Sequence, residues 1–224
     1  MAGLASALED TMTSSCIPAL SAAFQRDAVI ESGQSGGLMS THVEPIVTVA
    51  DLDLLPDDGN RYEVIEGELF VSCAPSLTHQ LVSGNIYSSI RGHLDQEPIG
   101  IVVAGPGVIF SDISGVIPDI IFISNHRRDE IASGEKVVGA PDLVIEIVSP
   151  GAGNERRDRV VKRQLYATYG VKEYWVVDFE SRSVEVYVND GQTLVLAATL
   201  SERDEITSSV LPGYRCRVES IFSI

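Results

Sequence analysis

Apolar and polar positions fall into regular blocks from about residue 45 onward. Thr48 to Leu55 reads as a short helix capped by Thr48 and ended by Pro56. Arg61 to Ile65 and Glu68 to Cys73 read as two strands joined by the two-residue turn Glu66-Gly67. Pro75-Ser76 leads into a helix over about 78–94, where Val82, Ile86, Ile90 and Leu94 recur every four residues and form one buried stripe. Three strands are expected next: Ile101 to Phe110, Pro118 to Ile123, and Leu143 to Val148. The last two are nearly continuous apolar runs, as in strands covered on both faces. A helix over about 156–169 stops at Gly170, and Glu173 to Asp178 forms a further strand. Ser183 to Val188 and Thr193 to Ala198 make a hairpin around Asn189-Asp190-Gly191. The middle of the chain therefore reads α-β-β-β-α-β, a mixed α/β pattern.

Residues 1–43 differ. They are rich in Ser, Ala and Gly, with weak apolar periodicity outside Leu20 to Phe24. The expectation is a flexible N-terminal tail over 1–43 and a folded domain over 44–224. No stretch approaches the ~18 apolar residues of a transmembrane helix, and Met1 to Asp10 lacks the basic-then-apolar pattern of a secretory leader. Cys16, Cys73 and Cys216 stand far apart with no CxxC pair, so isolated thiols and a cytoplasmic location are expected.

Charge narrows the function. The net charge is −16, and the first sixty residues hold nine acids against one arginine. Such a chain does not attract nucleic acid by bulk charge. Any phosphate chemistry must rest on a local basic patch or on bound metal.

Glu146 demands an explanation, because it lies inside the apolar strand Leu143 to Val148. An unpaired carboxylate there costs several kcal/mol or takes up a proton. A salt bridge, a hydrogen-bond network or a metal would account for it. Two acids compete as partner, Asp119 after Pro118 and Asp142 after Pro141. Asp142 shares a strand with Glu146 but stands four residues away, roughly 13 Å, too far to share one small cation. Asp119, on another strand, can lie about 5 Å across the ladder. Asp142 is better read as the start of its strand.

Five cations fall between Arg156 and Arg163 in an otherwise acidic chain that has three lysines in all. Arg156, Arg159 and Arg163 are candidates for nucleic-acid contact, although a solvated helix face would also carry such charges.

The order of Pro118-Asp119, Glu146 in an apolar strand, and a lysine-bearing helix resembles the PD-(D/E)XK nuclease superfamily. More closely, it is similar to a bacterial restriction endonuclease-like family of that fold. Arg61 to Leu69, Pro75-Ser76 with His79, Gly139 to Pro150, Arg157-Asp158-Arg159, Lys162, Tyr166 and Gly170 to Asp178 carry the likeness. It runs from about Leu52 to the C-terminus. The superfamily's lysine stands two residues after the acid, where this chain has Val148, so the resemblance makes Lys162 its substitute. The resemblance implies a restriction endonuclease-like core with added β-hairpins, and hydrolysis of DNA phosphodiester bonds. Asp119, Glu146 and the Ile147 carbonyl would hold Mg²⁺ or Mn²⁺, with Lys162 serving the phosphate. Glu68 and His79 are accessory candidates. A homodimer would serve cleavage of both strands. The rivals are a catalytically silent module of the same fold and a metal-free carboxylate-pair hydrolase such as a glycosidase.

Overall fold

The computed structural model describes residues 46–223, apart from 133 and 150. The expected tail over 1–43 lies outside the described residues. The compact unit runs from Val47 to the C-terminus.

Local chemistry sets the early elements. Thr48 and Asp51 form a capping box at the head of a 3₁₀ helix, Val49–Leu54. Strands β1 (Arg61–Ile65) and β2 (Glu68–Ser72) pair antiparallel. Their turn holds Glu66 at φ 52° and Gly67 at φ 83°. Two successive positive φ values match the right-handed twist of a hairpin. Ser76 accepts the His79 amide at 3.2 Å and caps helix α1 (Leu77–Gln96), which buries the expected Val82, Ile86, Ile90 and Leu94.

The expected single strand over 101–110 is two. Gly105-Pro106-Gly107 breaks it, with Gly105 at φ 61°, into β3 (Gly100–Ala104) and β4 (Val108–Ser111). Proline offers no amide to a ladder. The halves enter different sheets. Sequence reading also missed β5 (Ser114–Val116), α2 (Asn125–Ile131) and β7 (Val137–Val138), which are short and lack clear periodicity. β6 (Ile120–Ser124), β8 (Leu143–Ile147) and β9 (Glu173–Asp178) fall where expected.

The expected helix over 156–169 is a continuous helical segment of three parts. These are α3 (Ala152–Arg156), a π-helical stretch (Arg157–Lys162) and α4 (Arg163–Thr168). β10 (Ser183–Asn189) and β11 (Leu194–Leu200) form the expected hairpin. β12 (Glu205–Thr207), β13 (Arg215–Arg217) and α5 (Val218–Ile221) complete the described chain. Cys216 is a buried free thiol. Cys73 is disulfide-bonded, which corrects the expectation of isolated thiols.

The larger sheet has the order β11-β10-β9-β8-β6-β3, with β8 parallel to β9 and its other pairs antiparallel. A second sheet has the order β2-β1-β5-β4-β7. α1 packs on one face of the larger sheet, through a core that includes Ile86, Ile90, Leu143, Ile145 and Trp175. The opposite face carries Val144, Val148, Tyr166, Tyr174 and Ile65 in a second core. The α-β-β-β-α-β core is therefore present as α1, β3, β6, β8, the three-part helix and β9. It is the restriction endonuclease-like class of mixed α/β architecture.

Candidate active site

Strand alternation decides where Glu146 points. Leu143, Ile145 and Ile147 belong to the α1-side core, while Val144 and Val148 belong to the other. Glu146 thus turns toward the face with Tyr166, Tyr174 and the second sheet. It is buried, as the apolar run implied, and it is not unpaired. Its Oε1 accepts from Lys162 Nζ at 3.0 Å and from the Tyr166 hydroxyl at 2.6 Å. Burial, with the charges of Asp119, Asp158 and Glu63, pushes its carboxyl up to about 8, against the pull of Lys162. The tyrosine hydroxyls of Tyr166 and Tyr174 are likewise pushed well up by burial.

Asp119 is brought to the same place. β6 pairs with β8 antiparallel, Ile120 opposite Ile145. One step along that register sets Asp119 opposite Glu146, the cross-ladder arrangement expected from sequence. Asp119 Oδ2 accepts the Ile147 amide at 2.8 Å and faces His79 Nε2 at 3.2 Å. Oδ1 accepts from Arg61 Nη1 at 3.3 Å. Burial acts to raise the Asp119 carboxyl, but His79, the Ile147 amide and Lys162 together hold it below its ordinary value. Each donor favours the ionised form.

Lys162 is 2% exposed, so its segment is not merely a solvated basic face. Asp158, Lys162 and Tyr166 stand four residues apart and are all buried on the three-part helix. The π-helical stretch that carries the first two has wider turns than an α-helix, and such stretches are often found at functional sites. Burial acts to lower the lysine's affinity for its proton, yet Glu146, Glu63 and Asp158 raise it above the ordinary value. The side chain is an ammonium. Asp158 is pushed up by burial, with Arg157 Nε at 3.1 Å as its partner.

His79 reaches the site from the capped first turn of α1. Its Nδ1 is buried with no hydrogen-bond partner among the described residues. Glu68 is exposed at the turn end of the hairpin. The hairpin supplies Glu63 instead, 3% exposed, whose Oε1 lies 2.9 Å from Lys162 Nζ. Sequence reading missed Glu63, Arg61, Asp158 and Tyr166 as site residues. Alternation on β1, which sets Arg61, Glu63 and the buried Ile65 on one face, was the available signal. So was the four-residue spacing around Lys162.

Of the expected nucleic-acid contacts, Arg156 is exposed. Arg159 is tied to Asp178 at 3.0 Å and to Glu185, and the Arg163 guanidinium lies 5.1 Å from the centre of the Tyr187 ring. Asp142 is a structural acid, as read. It accepts from Ser124 N and Oγ at 2.8 and 2.6 Å and from Lys172 Nζ at 2.6 Å.

Among the described residues no three His, Cys, Asp or Glu side chains converge as a metal cluster. An ion here would rest on two carboxylates, a backbone carbonyl and water. Fold and side-chain arrangement together define a restriction endonuclease-like protein. A family model described as "Uma2: Putative restriction endonuclease" matches residues 49–219, and the chain belongs to that family. The chain also shares its fold with the crystal structure of "a putative nuclease belonging to DUF820" from Anabaena variabilis ATCC 29413. That match has a TM-score of 0.62 and 21% identity, covering 79% of this chain and 97% of the other. No curated protein matches the chain.

Proposed function

We propose that this protein is a divalent-metal-dependent endonuclease that hydrolyses DNA phosphodiester bonds. The observation that carries the reading is the placement of Asp119 opposite Glu146 with the Lys162 ammonium on Glu146. The donor set suits a hard cation. Carboxylate and carbonyl oxygens are the ligands Mg²⁺ and Mn²⁺ take, and Mg²⁺ typically uses one or two carboxylates and keeps several waters. The acids Asp119, Asp158 and Glu63 crowd around Glu146, so added positive charge is welcome there. Asp119 and Glu146 would hold the ion, with the Ile147 carbonyl beside them. When bound, it polarises a phosphoryl oxygen and acidifies a water.

The chain's own residues have separable roles. The Ile147 amide and His79 orient Asp119, and Tyr166 orients Glu146. Lys162 has three donors and no acceptor, so it can serve a phosphate oxygen but cannot ligate a metal. Arg61, with its side chain 30% exposed, is a solvent-accessible cation on Asp119 that can meet a phosphate. Cleavage of both strands of a duplex asks for two such sites, so a homodimer is part of the proposal.

The test is cleavage of supercoiled and linear DNA with Mg²⁺, Mn²⁺ or EDTA, by wild type, Asp119→Asn and Glu146→Gln. Both variants should stay folded and lose cleavage. Wild-type rates in both would place the chemistry elsewhere. A second reading, a silent module of the same fold, is favoured by the net charge of −16 and by the internal pairing of Arg159 and Arg163. Calorimetric titration with Mn²⁺ separates the two, since a silent module has no reason to keep metal affinity.

A further inference from the structure

We propose that Glu63 is a positioning residue that fixes the Lys162 ammonium relative to Asp119, and that it is not a ligand of the metal. This deepens the nuclease reading and rests on it. Glu63 Oε1 accepts the Ile117 amide at 2.7 Å and forms an ion pair with Lys162 Nζ at 2.9 Å. Ile117 stands two residues before Asp119, so one carboxylate oxygen ties the lysine to the segment that delivers Asp119. The same Nζ lies 3.0 Å from Glu146 Oε1. The ammonium is thereby held between carboxyl groups from β1 and β8, with one of its three N–H donors committed to Glu146.

The supporting strand is paired on both edges. β1 pairs with β2 through five residues and with β5 at Val64–Gly115. Gly115 permits close packing there, since a Cβ would come 2.9 Å from Val49 Cγ2. A lysine on a strand beside the acid is oriented by the sheet itself. Here it comes from a helix on a four-carbon stem, whose rotamer freedom must be removed some other way. Glu63 supplies the second anchor. Because its Oε1 already carries the ammonium and an amide, a metal ligand at that oxygen would have to displace a cation.

Glu63→Gln is nearly isosteric, keeps an acceptor for the Ile117 amide and removes the charge that holds Lys162. We expect kcat to fall about 100-fold, the scale of a reacting group misplaced by about 1 Å. KM and the calorimetric Mg²⁺ dissociation constant should move by less than about threefold, as for a group acting on turnover alone. In a Lys162→Met background the same substitution should reduce kcat by less than about twofold, because the partner is gone. An Mg²⁺ affinity weakened tenfold or more would make Glu63 a ligand and overturn the proposal. An equal loss in both backgrounds would make it merely structural, and no loss would remove it. If wild type cleaves no DNA with either metal, the nuclease reading fails. The anchor is then judged from thermal unfolding of the same four proteins. A double variant that loses no more than the worse single supports it, and additive losses overturn it. Should Glu63→Gln not fold, Glu63→Asp, which keeps the charge but shortens the reach, is expected to show the same split between kcat and metal affinity.

Discussion

Replacing Lys162 by methionine separates a site lysine from a surface one in the metal-free protein. The side chain is 2% exposed and lies 2.9 Å from Glu63 and 3.0 Å from Glu146. Methionine keeps most of its length and removes the charge, leaving two buried carboxylates without the cation between them. Removing one partner of a buried ion pair costs about 3–5 kcal/mol. For a domain of this size each kcal/mol shifts Tm by about 2–4 °C, so a fall of about 6–20 °C is expected. A solvated lysine would be worth less than about 0.5 kcal/mol. The assay is thermal unfolding in EDTA at neutral pH, followed by cleavage below the variant's transition. Mg²⁺ affinity should survive while turnover falls strongly to a measurable residue. A Tm within about 2 °C of wild type would refute the buried clamp, since it corresponds to about 1 kcal/mol or less. A rescue sharpens the result. Val148 is buried two residues beyond Glu146 and on its face, so Val148→Lys in the Lys162→Met background returns an ammonium to the same place. Recovered cleavage would show that helix and strand lysines serve one point.

The remaining expectations concern stability, pH and substrate affinity. Burial acts to raise the Asp142 carboxyl, but Lys172 and Ser124 hold it below 3.8. Its contribution is therefore present above the unfolded value and is lost as pH falls through the lower folded one. Asp142→Asn should cost about 2–3 kcal/mol at neutral pH, the scale of a charged hydrogen bond; a gap from wild type that does not narrow below that window in pH-dependent melts would contradict this. Tyr166→Phe removes the hydroxyl that donates to Glu146 and should lower stability by about 1–2 kcal/mol in denaturant titration; an unchanged midpoint would remove Tyr166 from the site. Arg156→Ala should weaken DNA binding and flatten its salt dependence by about one contact. Arg159→Ala and Arg163→Ala should do so less, because their guanidiniums are engaged internally, and an equal slope change in all three would overturn that ranking.

The order of core elements was legible because each long element carries its own period. α1 repeats apolar residues every four positions, and β6, β8 and β9 are nearly continuous apolar runs, interrupted by Glu146 in β8 and bounded by Glu173 and Asp178 in β9. What stayed hidden depends on tertiary placement. β5 and β7 are too short to show a period, and β4 could not be assigned to another sheet from its own residues. Asp119 and Glu146 could be paired in advance because antiparallel register is a one-dimensional problem. Alternation could single out Glu63 but not pair it, since nothing in Arg61 to Ile65 says which sheet its hairpin joins or which face of that sheet looks toward β8.

The same distinction explains why the lysine is the least legible member of the group. A strand residue two positions from an acid shares its face by alternation, whatever the rest of the fold does. A helix residue sixteen positions away shares that face only if the helix docks at one height and rotation. Here the docking is set by several buried contacts acting together. Tyr166 donates to Glu146, the Tyr174 hydroxyl donates to the Asp158 carbonyl, and Leu165 packs in the core with Val144 and Val148. Asp158, Lys162 and Tyr166 follow one another at four-residue steps into this contact surface, the first two on the π-helical stretch and the third on α4. The lysine's position is thus a property of how helix and sheet pack, and the chemistry proposed for it stands on that packing as much as on the residue itself.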